Sequence, residues 1–400
     1  MKIHTRTFAL GIAASMLLAA CTPAAVDFGA STLSPPGGIG RGQPDALPMA
    51  AGDTFGTGPV RVALLLPLTG DPGIANVGIS MANASRMAID FVTQNPRIGD
   101  NITIVLKDTG VTPGGAAQRA QEAVGEGASL ILGPLKADQV SAAGAVAKSA
   151  GIPLIGFSNN TGAATPGIYL LNVLPEVEAR RSLTYVKSKG KQAIAAIFPT
   201  TSFGKIQQGA FTQAAADLEL RPRGIYNFSS EAEARTVVAQ LIPQLKSGAV
   251  DALFLPDRAT APSFAALLEQ AGVPKGNLTI IGSADWDGDT TIPQAPYLAG
   301  AVYPAVDDSG YQALKPDYQA KFGSVPHPLA TVAYTATILA NVSALSKGTP
   351  RYDRAQLTTP GGFNGRDGVF RFLPDGRSEY ALIMKQIMPG GAQPVDGPKL

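Results

Sequence analysis

Residues 60–70 read VRVALLLPLTG, a near-continuous apolar run closed by Pro67. Such a run, without polar alternation, is the pattern of a strand covered on both faces of a parallel sheet. Outward from it, residues 75–94 carry helical spacing, with Val77, Met81, Met87, Ala88 and Phe91 on one broad side. Strands are then expected at 102–106, 129–132 and 152–156, with helices at 115–125 and 137–150 between them. A second series follows, with strands at 193–198, 223–228, 252–255 and 278–281. Helices at 176–189, 203–218, 232–246 and 262–271 separate these. Strands divided by helices of this length imply right-handed crossovers and doubly wound parallel sheets.

Two consecutive series argue for two similar lobes rather than one long sheet. After residue 281 the alternation breaks. A strand is expected at 298–303, helices at 310–322 and 329–346, and a hairpin at 368–373 and 380–386 around Pro374-Asp375-Gly376. The expected fold is α/β, with two doubly wound parallel-sheet lobes joined by a multi-crossover hinge. The first lobe is assigned residues 59–174 and 282–346, the second 175–281 and 347–400.

The amino terminus has a different character. Lys2, His4 and Arg6 precede an apolar stretch at 8–18 that is too short to span a bilayer. It ends in Leu18-Ala19-Ala20-Cys21, which resembles the bacterial lipobox. That resemblance implies a signal peptide over 1–20 and a diacylglycerol on Cys21; the competing reading is an ordinary secretory leader with a chance cysteine. Thr22 follows the cysteine where an aspartate resembles an inner-membrane retention signal, so the expected site is the periplasm of a Gram-negative bacterium, leaning toward the outer membrane. Residues 21–58 are rich in Pro, Gly, Ala and Ser, the composition of a flexible tether. No other segment comes near 18 consecutive apolar residues.

Composition narrows function. Of 400 residues, 45% are hydrophobic and 16% charged, enough for a large core. The formal charge of +2 rests on 32 basic and 30 acidic residues. Lys2 and Arg6 lie in the leader, so the mature chain is neutral and lacks the footprint of a nucleic-acid binder. One cysteine and two histidines exclude a disulfide framework, Cys–His catalysis and a zinc site with several imidazoles. His327 lies between Pro326 and Pro328, a turn rather than a catalytic triad. No enzyme activity, cofactor or metal is expected.

The order VALLLPLTG (62–70), ITIVLKDTG (102–110), LILGPL (130–135) and GIPLIGFSNN (151–160) resembles the type I periplasmic binding protein fold. The leucine/isoleucine/valine-binding branch of ABC-transporter substrate-binding proteins is the nearest likeness. FNGRDGVFRFLPDGRSEYALIMKQI (363–387) is similar to that branch's closing hairpin. LLLPLTG, ILGPLKADQV and LPEVEARR also look like the C-terminal domain of penicillin-binding protein activator lipoproteins. The fold implies a ligand cleft off the carboxyl ends of the strands, closed by a hinge.

By this resemblance the ligand carboxylate would be held near Lys136, Ala137, Ser158, Asn159, Asn160 and Thr161. Phe203 would cover the side chain, and Asp285 or Asp257 would hold the ammonium. Lys136 departs from the small polar residues usual there; it could sit exposed, bind an anion, or pair internally with Asp257 or Asp285 and plug the cleft. Trp286 could stack on a ligand or partner, or pack beneath the hinge. Asp285-Trp286-Asp287-Gly288-Asp289 fails as a calcium loop, because the glycine is misplaced and Pro296 stands where a glutamate is required. Two functions follow. One is delivery of an amino acid or similar molecule to an ABC permease; the other is protein contact with a penicillin-binding protein.

Overall fold

A computed structural model of the chain describes residues 52–400. The leader, Cys21 and most of the tether lie outside the described residues. The first sheet is built from β1 (Thr54–Phe55), β2 (Val60–Leu66), β3 (Ile102–Asp108), β4 (Leu130–Leu132), β5 (Leu154–Gly156) and β6 (Ile168–Leu170). Their order is β1-β3-β2-β4-β5-β6, all parallel except β1 against β3. The helices α1 (Pro72–Gln94), α2 (Pro113–Gly125) and α3 (Ala137–Ser149) connect the strands.

The apolar run at 60–67 behaves as its composition dictates. Val62, Leu64 and Leu66 enter one core together with Met81 and Ile89 of α1. Ala63 and Leu65 enter the other with Ala116 and Ala120 of α2 and Val140 of α3. Strand side chains alternate between faces, so a strand apolar at nearly every position needs helices on both. Asp71 starts α1 by accepting from the Ile74 amide at 3.0 Å, with Pro72 at the first helical position. Phe91, expected on the inward side, is 47% exposed.

The second sheet contains β7 (Ile194–Pro199), β8 (Gly224–Phe228), β9 (Ala252–Phe254), β10 (Thr279–Ile281) and β11 (Val302–Ala305). Around it lie α4 (Pro175–Ser188), α5 (Ser202–Asp217), α6 (Glu231–Lys246) and α7 (Ala261–Gln270). The chain then forms α8 (Ser309–Phe322), α9 (Ala330–Asn341), α10 (Ser343–Ser346) and α11 (Arg354–Leu357). A small antiparallel sheet of β12 (Phe363–Gly365), β13 (Gly368–Phe372) and β14 (Ser378–Tyr380) precedes β15 (Leu382–Met388) and β16 (Gly391–Lys399). The second sheet runs β16-β15-β11-β10-β9-β7-β8, with β15 and β16 antiparallel. The chain crosses between lobes at 171–174, at 306–308 and at Ala381.

Several expected boundaries move. Residues 52–58, expected in the tether, edge the first sheet: the Gly52 amide donates to the Leu106 carbonyl at 2.8 Å and Phe55 is buried. Residues 282–305, expected in the first lobe, belong to the second, because Trp286, Ile292, Leu298 and Tyr303 find their apolar partners there. Residues 347–381, expected in the second lobe, pack on the first through Tyr352, Leu357, Phe370, Phe372 and Tyr380. The strand expected over 380–386 is therefore broken at Ala381. Tyr380 stacks on Phe370 at 5.5 Å in the first lobe, while Met384 joins the second. The strand expected at 298–303 forms at Val302–Ala305 instead.

Candidate functional site between the lobes

The loops at the carboxyl ends of the strands carry the expected site residues. In the first lobe, Lys136 precedes the first turn of α3 and Ala137 begins it. Lys136 is half-buried and its Nζ lies 4.0 Å from Asp138 Oδ2. After β5, Ser158 is buried and its Oγ accepts from the Asn160 amide at 3.1 Å. Asn160 in turn accepts from the Gly162 amide at 3.0 Å, holding a short helical turn at Thr161–Ala163. These bonds fold the loop so that Asn159 and Asn160 are exposed. Thr161 Oγ1 donates to Glu176 Oε1 at 2.9 Å, tying this loop to the start of α4.

In the second lobe, Thr201 caps α5 by accepting from the Gly204 amide at 3.2 Å, which leaves Phe203 half-buried in the first turn. Gly204 is required by close approach: a Cβ there would stand 1.8 Å from the Pro199 carbonyl oxygen. After β9, Asp257 Oδ2 accepts from Thr260 Oγ1 at 2.6 Å. After β10, Ser283 Oγ donates to the Pro256 carbonyl at 2.7 Å and accepts from the Asp285 amide at 3.2 Å. That one hydroxyl locks the β9 and β10 loops together. Asp285 Oδ2 lies 3.7 Å from Arg258 Nε. Burial pushes the Asp285 carboxyl up, and the Arg258 guanidinium opposes the shift.

Trp286, expected as a site residue, is instead part of the second core. It is 1% exposed, and it packs against Tyr303 and over Gly282, where a Cβ would stand 2.2 Å from the indole. Asp287 is held by Tyr303 Oη at 2.9 Å and by Lys385 Nζ at 2.9 Å. Asp289 accepts from the Thr291 and Ile292 amides. The acid-rich turn is thus consumed by its own neighbours, and no metal-holding group of His, Cys, Asp or Glu occurs among the described residues. His327 Nδ1 accepts from the Leu329 amide at 3.2 Å, the geometry of a helix entry.

Sequence reasoning missed Glu178 and Arg258. Glu178 lies on α4, 9% exposed, with its Oε2 accepting from the Ala284 amide at 3.2 Å. Burial pushes its carboxyl up to about 7, with the Ala284 bond lowering it and nearby Asp285 raising it. The available signal was Pro175-Glu176-Val177-Glu178, acids in a first helical turn, which reads equally well as dipole complementation at an exposed helix start.

Residues 59–377 match the periplasmic binding protein family, and the chain belongs to it. This family is a non-catalytic component of transport, and its members work outside the cytoplasm. A protein assigned as a branched-chain amino acid ABC transporter from Rhodospirillum rubrum superposes with a TM-score of 0.70 at 19% identity, over 84% of this chain and 99% of that one. An ABC transporter substrate-binding protein from Desulfitobacterium hafniense, in complex with Leu, gives 0.61 at 16%, over 84% and 99%. A solute binding protein from Rhodopseudomonas palustris BisB5, in complex with 3,4-dihydroxybenzoic acid, gives 0.55 at 18%, over 85% and 98%. No curated protein matches the sequence.

Proposed function

We propose that the chain is a lipid-anchored solute receptor of the leucine-binding type, which captures an amino acid or similar small molecule between its lobes for an ABC permease. The observation that carries this reading is the division of chemistry between the strand-end loops. The first lobe offers Lys136, Asn159, Asn160 and the amino end of α3, which suit a carboxylate. The second offers Asp257 and Asp285, which suit an ammonium, with Phe203 to cover a side chain. The related folds that hold Leu and 3,4-dihydroxybenzoic acid support a small organic acid as solute.

Residues 52–400, screened against the twenty L-amino acids and aromatic acids, should give a saturable calorimetric signal and a thermal shift that grows with the logarithm of ligand concentration. Silence across both panels would sink the reading. One observation favours the second function: Asp285 already lies within ion-pair reach of Arg258. A cleft satisfied from within would act through protein contact, and co-purification with a penicillin-binding protein, alongside that silence, would establish it.

A further inference from the structure

The buried carboxyl of Glu178 is bonded to the turn that carries Asp285. Its Oε2 accepts from the Ala284 amide at 3.2 Å, and Ala284 and Asp285 share the short turn Ala284–Trp286. Ser283 extends the same network to the Pro256 carbonyl beside Asp257. Gln207 of α5 also bonds the Glu178 carboxyl, while its own Oε1 has no hydrogen-bond partner. Glu178 is buried, and its charge is poorly screened by the protein around it.

We propose that Glu178 is a positioning residue that couples solute affinity to proton concentration: its carboxyl holds the turn that presents Asp285, its ionised form adds negative charge behind that turn for an ammonium group, and its protonated form withdraws that charge. This inference rests on the receptor reading above. The charged groups around it are few. Asp285 faces it from the turn, and on its own helix Glu176 is bonded to Thr161 while the Arg181 guanidinium is engaged by the Leu382 carbonyl and Asp396. Lys205 and Asp217 of α5 sit at exposed positions, and Tyr303 of β11 and Lys385 of β15 are engaged by Asp287. Asp257 and Arg258 complete the rim. Ionising Glu178 adds one negative charge behind the rim that carries Asp285.

The direction follows from linkage. A bound ammonium favours the ionised carboxyl, and reciprocally the ionised carboxyl tightens the ammonium. The burial that brings Glu178 to about 7 places this change within the ordinary periplasmic range. If binding lowers the carboxyl by one unit, the Kd of whichever L-amino acid binds should fall about fivefold between pH 6 and pH 8. 3,4-Dihydroxybenzoate, which lacks an ammonium, should show no tightening. Glu178→Gln should give a flat profile with affinity close to that of the unmodified protein at pH 6.

A second measurement needs no variant. Carbon-13 NMR of the labelled glutamate carboxyls should show one group titrating near neutrality, and that titration should move downward when the amino acid is bound. A pH-independent Kd in the unmodified protein, a Glu178→Gln profile that keeps its slope, or a carboxyl titration unmoved by ligand would each overturn the coupling while leaving the receptor reading intact. Failure of every amino acid to bind at any pH would overturn both.

Discussion

At the residue scale, two carboxyls show how burial outweighs composition. Asp367 sits in the turn between β12 and β13, where its Oδ2 accepts from Thr331 Oγ1 at 2.9 Å. Burial pushes it up to about 6, against a smaller lowering by that hydrogen bond and by Arg366. A raised carboxyl binds its proton more tightly when folded than when unfolded. Its stabilising contribution is complete below the unfolded value near 3.8, and it is lost as pH rises through about 6. Asp367→Asn should therefore stabilise the protein at pH 8 by on the order of 2 kcal/mol and leave it almost unchanged near pH 3. Thermal denaturation of both proteins at the two pH values checks this, and equal shifts at both would refute it. Trp286 makes the same point for an uncharged side chain. Its position between two aspartates suggests exposure, but Gly282 opens a slot that only the flat indole fills.

At the scale of single elements, the long apolar strands and capped helices were legible, because each carries its own period and its own stop signals. Weak strands such as β1, β6 and β16 were not. β1 has two residues and lies inside a Gly-rich segment. It is held by backbone bonds to β3, by Arg86 over the Phe55 ring at 5.4 Å, and by Asp53 within 3.4 Å of that guanidinium. A chain beginning at residue 59 should be less stable than one beginning at residue 52 by about 2–4 kcal/mol, the worth of a buried phenylalanine and its edge bonds. Chemical denaturation of the two chains measures it, and equal midpoints would show that β1 contributes nothing. β6 is short, and its partner across the ring cluster, Phe372 against Tyr169 at 5.2 Å, lies two hundred residues away. β16 is polar and contains Pro394 and Pro398, residues confined to sheet edges. Arg181 of α4 anchors it from within, donating to Asp396 Oδ2 at 2.6 Å and to the Gly397 carbonyl at 3.0 Å.

At the scale of the molecule, two sheets are joined by three crossings and by ties between lobes. Thr161 meets Glu176 at 2.9 Å, and Arg180 of α4 meets Glu379 of β14 at 3.1 Å. Lys385 of β15 lies 3.8 Å from Asp308 at the second crossing. Such contacts are few enough to permit hinge motion about the crossings. The proposed tether and anchor concern the whole molecule as well. Cys21→Ser should move the protein from the membrane fraction to the soluble periplasmic fraction, because the substitution removes the proposed site of acylation. No helix among the described residues is long and apolar enough to cross a membrane. A Cys21→Ser protein that stays in the membrane fraction would refute acylation at that residue.

The amino-acid order alone determined the alternation of strand and helix, the division into two α/β lobes and the loops worth inspecting, since these depend on periods within a dozen residues. Only the tertiary structure decided which lobe receives 282–305 and 347–381, and which acid lies sealed against the turn at Ala284–Trp286. Phe370, Tyr380 and Trp286 would satisfy either core equally well as apolar side chains. Their choice is made by shape and by partners far away in the chain. Glu178 is likewise ordinary as a letter in a helix start. It becomes a neutral-range acid only where Ala284, Gln207 and Asp285 close over it.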